Sequence, residues 1–456
     1  MTTQLVTRVT MEDATSVEAV TAFVEELLAD SGWELVRVRQ RTSRLDPPNY
    51  WTLFEVSISK DEETRSLRMV AAGAFEEAAW QRLQHRLERT SSGRECDPLN
   101  GVGYPRLFPE SQHAYWFYPF DPNMPNLPTA ADPASMAGIL LGLDPDAARE
   151  FAATGRLQIE RVRYVPEVGA IIRYTIDTGA GAITMYGKVQ PGDRGLRTHR
   201  IVGGLWEAAR RFDYEGLIYL PRPLGFVDEL GLLLEEAIPG KPVGGNRLSA
   251  EFGLTAFAAA EAAAVIHESN VPAEGQVFRI EAELERLDRV TKQFIQVHPR
   301  AAYLLSDLVA HMRDHVRATD EEDILPTHGD LKYDQFIHHN GKLTLLDFDY
   351  FALAETSYDL GKFCAYLVPS IPQGWEETLA AEEMRVQFLR RYRELRPYAT
   401  LERFAVYEAL QLALRAMSFM WAQVRGWEGM AETFLVLAFE RLKSRFPESI
   451  PTSLVG

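Results

Sequence analysis

At 456 residues the chain is too long for one ordinary core and implies two or three domains. A formal net charge of −17 excludes a nucleic-acid binder, which needs a basic footprint, and two cysteines, Cys96 and Cys364, exclude a disulfide framework or a cysteine-rich zinc site. The N-terminus has no signal-peptide core and no run of about 18 apolar residues occurs, so a reduced, cytoplasmic, soluble protein without a membrane span is expected.

The spacing of Val20, Phe23, Val24, Leu27 and Leu28 predicts a helix over 16–30. Strands are expected at Glu34–Arg39, Trp51–Ser57 and Ser66–Ala71, where apolar and charged residues alternate. Phe75–Glu88 reads as a helix, Gly103-Tyr104-Pro105 as a turn and Ala114–Phe120 as an extended aromatic run. Residues 121–135 hold four prolines and give the best linker signal. Met136–Leu143 and Pro145–Thr154 read as short helical pieces.

From Leu157 the pattern restarts. Strands are expected at 161–164, 171–176 and 182–189, then a helix containing Leu205–Phe212 and an apolar strand at Leu230–Ala237. Arg-Val-Arg recurs at 37–39 and 161–163, and the later strands fall in the same order. This order suggests a degenerate internal duplication; two unrelated sheet domains with similar spacing would give the same signal. Where the second copy has Lys188, the first has Ala72. After Gly240 the chain is mostly helical: 250–269, 281–297, 301–319, 359–368, 376–395, 400–424 and 427–445. A hairpin with strands 335–338 and 343–346 turns at Asn340-Gly341.

Just before that hairpin stands Thr327-His328-Gly329-Asp330-Leu331-Lys332-Tyr333-Asp334-Gln335, and after it Leu346-Asp347-Phe348-Asp349. Phosphoryl transfer needs a carboxylate near the attacking hydroxyl and hard oxygen ligands for magnesium. Asp330 fits the first need. Gln335 and Asp347, at the outer ends of the two strands, fit the second. Alone, His-Gly-Asp would be an ordinary turn.

These motifs, with Ser357-Tyr358-Asp359-Leu360-Gly361, resemble the aminoglycoside phosphotransferase and choline kinase-like family over about residues 157–450. The resemblance implies an α+β protein-kinase-like fold: a small β-rich N-lobe at 157–240 and a helical C-lobe at 241–456. An N-terminal α/β cap domain (1–125) and a linker (126–156) precede them. It also implies ATP and Mg2+ as cofactors, Asp330 as the catalytic aspartate, Asp347 as a magnesium ligand and Asp359 as a structural brace. Gln335 stands where the family usually has asparagine, one methylene longer. Lys188 would hold the α- and β-phosphates, with Glu207 as its ion-pair partner. Gly169, in Val165–Gly169, would belong to the phosphate-covering loop, which is poor in glycine. Glu236, Ala237 and Ile238 would read adenine from the hinge.

Gln335 and the capped architecture are most similar to the maltokinase and bacterial glucosamine kinase branch, although that branch's Gly-Glu-Pro after the metal aspartate is absent. A hydroxyl of a sugar or amino sugar is therefore the expected acceptor, with an aminoglycoside or an amino alcohol as the alternative. A pseudokinase-like binding protein is a further alternative. His267 is expected to be a packed structural histidine. Trp375, Trp421 and Trp427, with Arg391 and Glu408, are expected either to wall the acceptor pocket or to pack in the helical core.

Overall fold

Alternating side chains in the first third of the chain form a five-stranded antiparallel sheet in the computed structural model. The model describes residues 15–29, 31–46, 48–91, 105–143, 157–178, 181–211, 216–371, 374–422 and 424–443. The strands β1 (Glu34–Asp46), β2 (Asn49–Lys60), β3 (Glu63–Ala74), β4 (Arg106–Phe108) and β5 (His113–Phe117) lie in the order β1-β2-β3-β5-β4. Helix α1 (Val17–Leu28) is capped by the Ser16 hydroxyl, which accepts from Ala19 N–H. It buries Val20, Val24 and Leu28 against Phe54, Val56 and Met69. Helix α2 (Glu77–Ser91) follows β3.

A second five-stranded sheet repeats this plan. Strands β6 (Leu157–Val165), β7 (Gly169–Thr178), β8 (Gly181–Val189), β9 (Pro223–Val227) and β10 (Leu232–Glu236) lie in the order β6-β7-β8-β10-β9. Each sheet has a long helix after its third strand and a 3-10 turn between its last two. Those turns, Pro109–Ser111 and Asp228–Leu230, both end on a left-handed residue, Gln112 (φ 51°) and Gly231 (φ 60°). Each first strand also carries a bulge, at Leu35/Arg37 and Arg161/Arg163.

The chain divides into two compact units. The first comprises residues 1–196, 224–234 and 421–423, and the second 197–223, 235–420 and 424–456. Both sheets thus fall mainly in the first unit, where they share one core. Trp51, Val70, Ala72 and Trp116 of the first sheet pack in the same cluster as Ile172, Tyr174 and Ile176 of the second.

One expectation changes here. The proline-rich stretch expected as a linker is packed: helices α3 (Leu127–Ala130) and α4 (Pro133–Leu143) send Leu127, Ala130, Met136 and Leu140 into the shared core. The helix expected to contain Leu205 is α5 (Arg194–Arg211). The expected helix at 145–154, Gly103-Tyr104 and Cys96 lie outside the described residues.

The second unit is built around α6 (Ala250–Glu268), capped by the Ser249 hydroxyl. Its alanines let neighbouring elements approach on every side, and Ala256, Ala259, Ala260 and Ala263 are fully buried. Helices α7 (Ile280–Val297) and α8 (Pro299–Ala318) follow. Strand β11 (Lys241–Pro242) pairs with the hairpin β13 (Phe336–His339) and β14 (Lys342–Leu345), and β12 (Ile324–Thr327) pairs with β15 (Ala352–Glu355). Asn340 (φ 49°) and Gly341 (φ 78°) both take the left-handed conformation a two-residue hairpin turn requires. Helices α9 (Ser357–Leu367), α10 (Trp375–Leu395), α11 (Phe404–Trp421) and α12 (Trp427–Lys443) complete the unit. Among the described residues no helix is long and apolar enough to cross a membrane.

Candidate active site

Strand β12 ends at Thr327, and the next three residues turn sharply. Gly329 adopts φ +78°, and a Cβ there would lie 1.9 Å from the Tyr350 carbonyl oxygen, so no other residue fits. Asp359, at the start of α9, is fully buried and fixes this turn: Oδ2 accepts from His328 N–H at 2.7 Å and Oδ1 from Gly329 N–H at 2.9 Å. His267 Nε2 lies 3.4 Å from Asp359, and its Nδ1 lies 2.7 Å from the Tyr392 hydroxyl. Burial alone would raise the Asp359 pKa, but the His267 contact and the two backbone donors outweigh it and hold it below the ordinary value. His267 is the packed structural histidine expected from sequence.

His328 joins the two motifs. Its Nδ1 accepts from Asp330 N–H at 3.3 Å, so Nε2 carries the proton and donates to the Leu346 carbonyl at 3.0 Å. Its ring packs on Phe348 at 4.8 Å. The hairpin then returns Asp347 beside Gln335, with Leu346 N–H on the Gln335 carbonyl at 2.9 Å. Asp347 takes φ +68°, a strained setting for a non-glycine residue that aims its side chain back across the hairpin.

The three residues expected to carry the chemistry converge. The Gln335 amide nitrogen lies 3.0 Å from Asp330 Oδ2 and 3.3 Å from Asp347 Oδ2. Two lysines also grip Asp330: Lys362 Nζ at 3.0 Å from Oδ1 and Lys332 Nζ at 2.9 Å from Oδ2. Burial would raise the Asp330 pKa; the Lys362 and Lys332 ammonium groups reverse that and hold it below the ordinary carboxylate value. The sequence reading missed both lysines. Lys332 lies inside the quoted motif, but Lys362 reads as an ordinary helix residue until α9 is placed. Asp349 accepts from the Thr198 hydroxyl of α5 at 3.3 Å.

The expected nucleotide residues lie on both units. In the first unit, Lys188 is half-buried on β8, opposite Ile171 of β7. The turn before Gly169 is short: Val165 pairs with Gly169, and Glu167 takes φ +61°. The first-sheet segments hold Glu167 at three points. Its N–H donates to buried Asp121 at 2.9 Å, its carbonyl accepts from Asn123 Nδ2 at 3.1 Å, and its carboxylate meets Arg86 at 2.5 Å. Asp121 also accepts from the Tyr164 hydroxyl at 2.8 Å, and Trp116 Nε1 donates to that hydroxyl at 3.0 Å.

In the second unit, Glu207 lies on the exposed side of α5. The unit boundary at Leu234/Glu235 falls inside the expected hinge. Glu236 is exposed, with its N–H on the Arg222 carbonyl at 3.0 Å, and Ala237 and Ile238 are half-buried. Trp427 is buried, and Glu408 is spent on Arg385, an ion pair inside the helical core. Arg391 pairs with Glu261. Trp375 is instead 70% exposed.

Residues 207–405 match the model of the phosphotransferase enzyme family. That segment is similar to the family, and the structure combines β-sheets with a largely helical C-terminal region. The match takes in Glu207, Asp330, Gln335, Asp347 and Asp359; Gly169 and Lys188 precede it. Among solved structures, the chain is similar to choline kinase from Cryptosporidium parvum Iowa II (12% identity, 68% of this chain and 96% of that one, TM-score 0.49). It is also similar to a choline/ethanolamine kinase family protein from Mesorhizobium loti (14%, 66% and 95%, TM-score 0.45). A third is aminoglycoside-3'-phosphotransferase of type VIII (21%, 59% and 98%, TM-score 0.38). A comparison with curated proteins gives no match.

Proposed function

We propose that the protein transfers the γ-phosphoryl group of Mg·ATP to a hydroxyl of a sugar. The observation that carries this reading is the convergence of Asp330, Gln335 and Asp347 within 3.3 Å on a braced turn. Among the described residues no group of three or more His, Cys, Asp and Glu side chains is arranged to hold a metal. Magnesium commonly takes one or two protein ligands and fills its shell with phosphate oxygens and water. Asp347 would hold it, joined by the Gln335 oxygen once the amide turns its nitrogen away from Asp347, and the bound ion would neutralise phosphate charge.

Asp330 would orient the acceptor hydroxyl. With two ammonium groups on it, this carboxylate is a weak base, so positioning and charge neutralisation, rather than early proton removal, would supply the catalysis. Lys188 would anchor the α- and β-phosphates. The Val165–Gly169 turn would cover the phosphates, and the backbone of Glu236, Ala237 and Ile238 would meet the adenine. The solved structures named above include choline and aminoglycoside kinases, which supports a small hydroxylated acceptor. Gln335, in place of asparagine, favours a sugar.

The test is ADP release from Mg·ATP across a panel of sugars, amino sugars, aminoglycosides and amino alcohols. A sugar-dependent signal is expected. Turnover confined to choline or to aminoglycosides would refute the sugar acceptor.

A further inference from the structure

The group around Asp330 is positively charged in a protein whose formal net charge is −17. Lys332 and Lys362 each place Nζ within 3.0 Å of the one Asp330 carboxylate. Among the described residues, the only other carboxylate paired with either is Asp334, half-exposed and 3.9 Å from Lys332, beyond hydrogen-bond reach. Both ammonium groups also lie over the Tyr366 ring, at 5.4 and 5.2 Å from its centroid, and the Arg415 guanidinium lies 4.8 Å from it. Arg415 bonds the Ala365 and Val368 carbonyls, and Arg247 bonds that of Leu367. Burial, with Arg247 nearby, pushes the Arg415 pKa down to about 10. These two arginines cap the carboxyl end of α9, so the cations that face Asp330 are Lys332 and Lys362.

An ionised carboxylate accepts about four hydrogen bonds. Lys362, Lys332 and Gln335 take three on Asp330, leaving room for one acceptor hydroxyl. Each ammonium group has three donors. One from each meets Asp330, which leaves two donors on each ammonium group. A mostly buried pair of cations sharing one carboxylate favours a second anion.

Resting on the sugar kinase reading above, we propose that the acceptor carries an anionic group, a carboxylate or a phosphate, which Lys332 and Lys362 hold beside the hydroxyl that is phosphorylated. A cationic acceptor would meet two ammonium groups at the transfer point.

The test uses the full chain saturated with Mg·ADP and titrated calorimetrically with four probes: glucuronate, glucose 6-phosphate, glucose and glucosamine. At least one anionic probe is expected to bind tenfold or more tightly than glucose, and glucosamine more weakly than glucose. A preference for glucuronate alone or for glucose 6-phosphate alone identifies the carboxylate or the phosphate as the anion. Lys362→Met and Lys332→Met, each checked for a cooperative melt, should erase that margin, and Lys362→Arg should keep part of it. Equal binding of charged and neutral probes, tighter binding of glucosamine, or a margin that survives both methionine variants overturns the proposal. If the lysine variants weaken Mg·ADP alone and leave the margin intact, the ammonium groups serve the nucleotide and the proposal also fails. Absence of Mg·ADP binding in the intact protein would instead sink the kinase reading itself.

Discussion

Gly329 and Asp330 sit on the same turn but answer to different tests. Replacing Gly329 by alanine puts a methyl group 1.9 Å from the Tyr350 oxygen on a left-handed backbone. Gly329→Ala is therefore expected to cost about 4 kcal/mol or more of stability, at the severe end of single substitutions, read as a lowered denaturation midpoint. Asp330→Asn keeps the shape and removes the charge. It should fold normally and lose about 100-fold or more in kcat, the usual contribution of a positioned acid or base. A folded Asp330→Asn protein with unchanged kcat would remove that residue from the chemistry. Asp330, Gln335 and Asp347 could be read from sequence because their partners lie within one hairpin, whose Asn340-Gly341 turn sets the register. Lys362 could not, because its pairing with Asp330 depends on where α9 packs.

At the scale of elements, Glu322 ties the segment before β12 to α9 and α11. It is buried and accepts from Ser357 N–H at 2.9 Å, the Ser357 hydroxyl at 2.8 Å and Arg403 N–H at 2.9 Å. Burial, opposed by these donors, pushes its pKa up to about 7. A carboxyl raised in the folded state contributes stability below its unfolded pKa and loses it as pH rises through the folded one. Glu322 should therefore make the protein less stable between about pH 4.5 and pH 7, and Glu322→Gln should flatten the denaturation midpoint across that window. An unchanged slope in the variant would show that Glu322 is already ionised throughout.

The turn held by Asp121, Asn123 and Arg86 makes a second element-scale prediction. Asp121→Asn weakens the acceptor of Glu167 N–H, and Arg86→Ala removes the ion pair. If this turn covers phosphates, both variants should raise KM for ATP several-fold more than KM for the acceptor. Equal effects on the two would indicate only general loosening. This role could not be read in the sequence, where Asp121-Pro122 and its neighbouring prolines resemble a linker; packing of Leu127, Met136 and Leu140 into the shared core turns the stretch into structure.

For the whole molecule, the two sheets share strand order, the position of the following helix and a 3-10 turn that ends on a left-handed residue. These common features support the internal duplication, with Ala72 standing where the second copy has Lys188. The shared core makes a prediction about truncation. Removing residues 1–125 would strip Trp51, Val70 and Trp116 from Ile172, Tyr174 and Ile176. The remainder should fail to give a soluble protein with a cooperative melt. A well-folded fragment with full nucleotide affinity would show that the first sheet is an independent appendage. The strand order was legible because both sheets are made of sequential, locally paired strands; their common core was not, because face-to-face packing leaves no periodic mark linking distant segments.

The most direct test of the central claim is ADP formation from Mg·ATP, with and without the acceptor panel, in the intact protein and in Asp347→Asn. Acceptor-dependent ADP release by the intact protein is expected, with a loss of about 100-fold or more in the variant, where the proposed magnesium ligand is removed. No acceptor-dependent release by the intact protein, or equal rates in both, would contradict it.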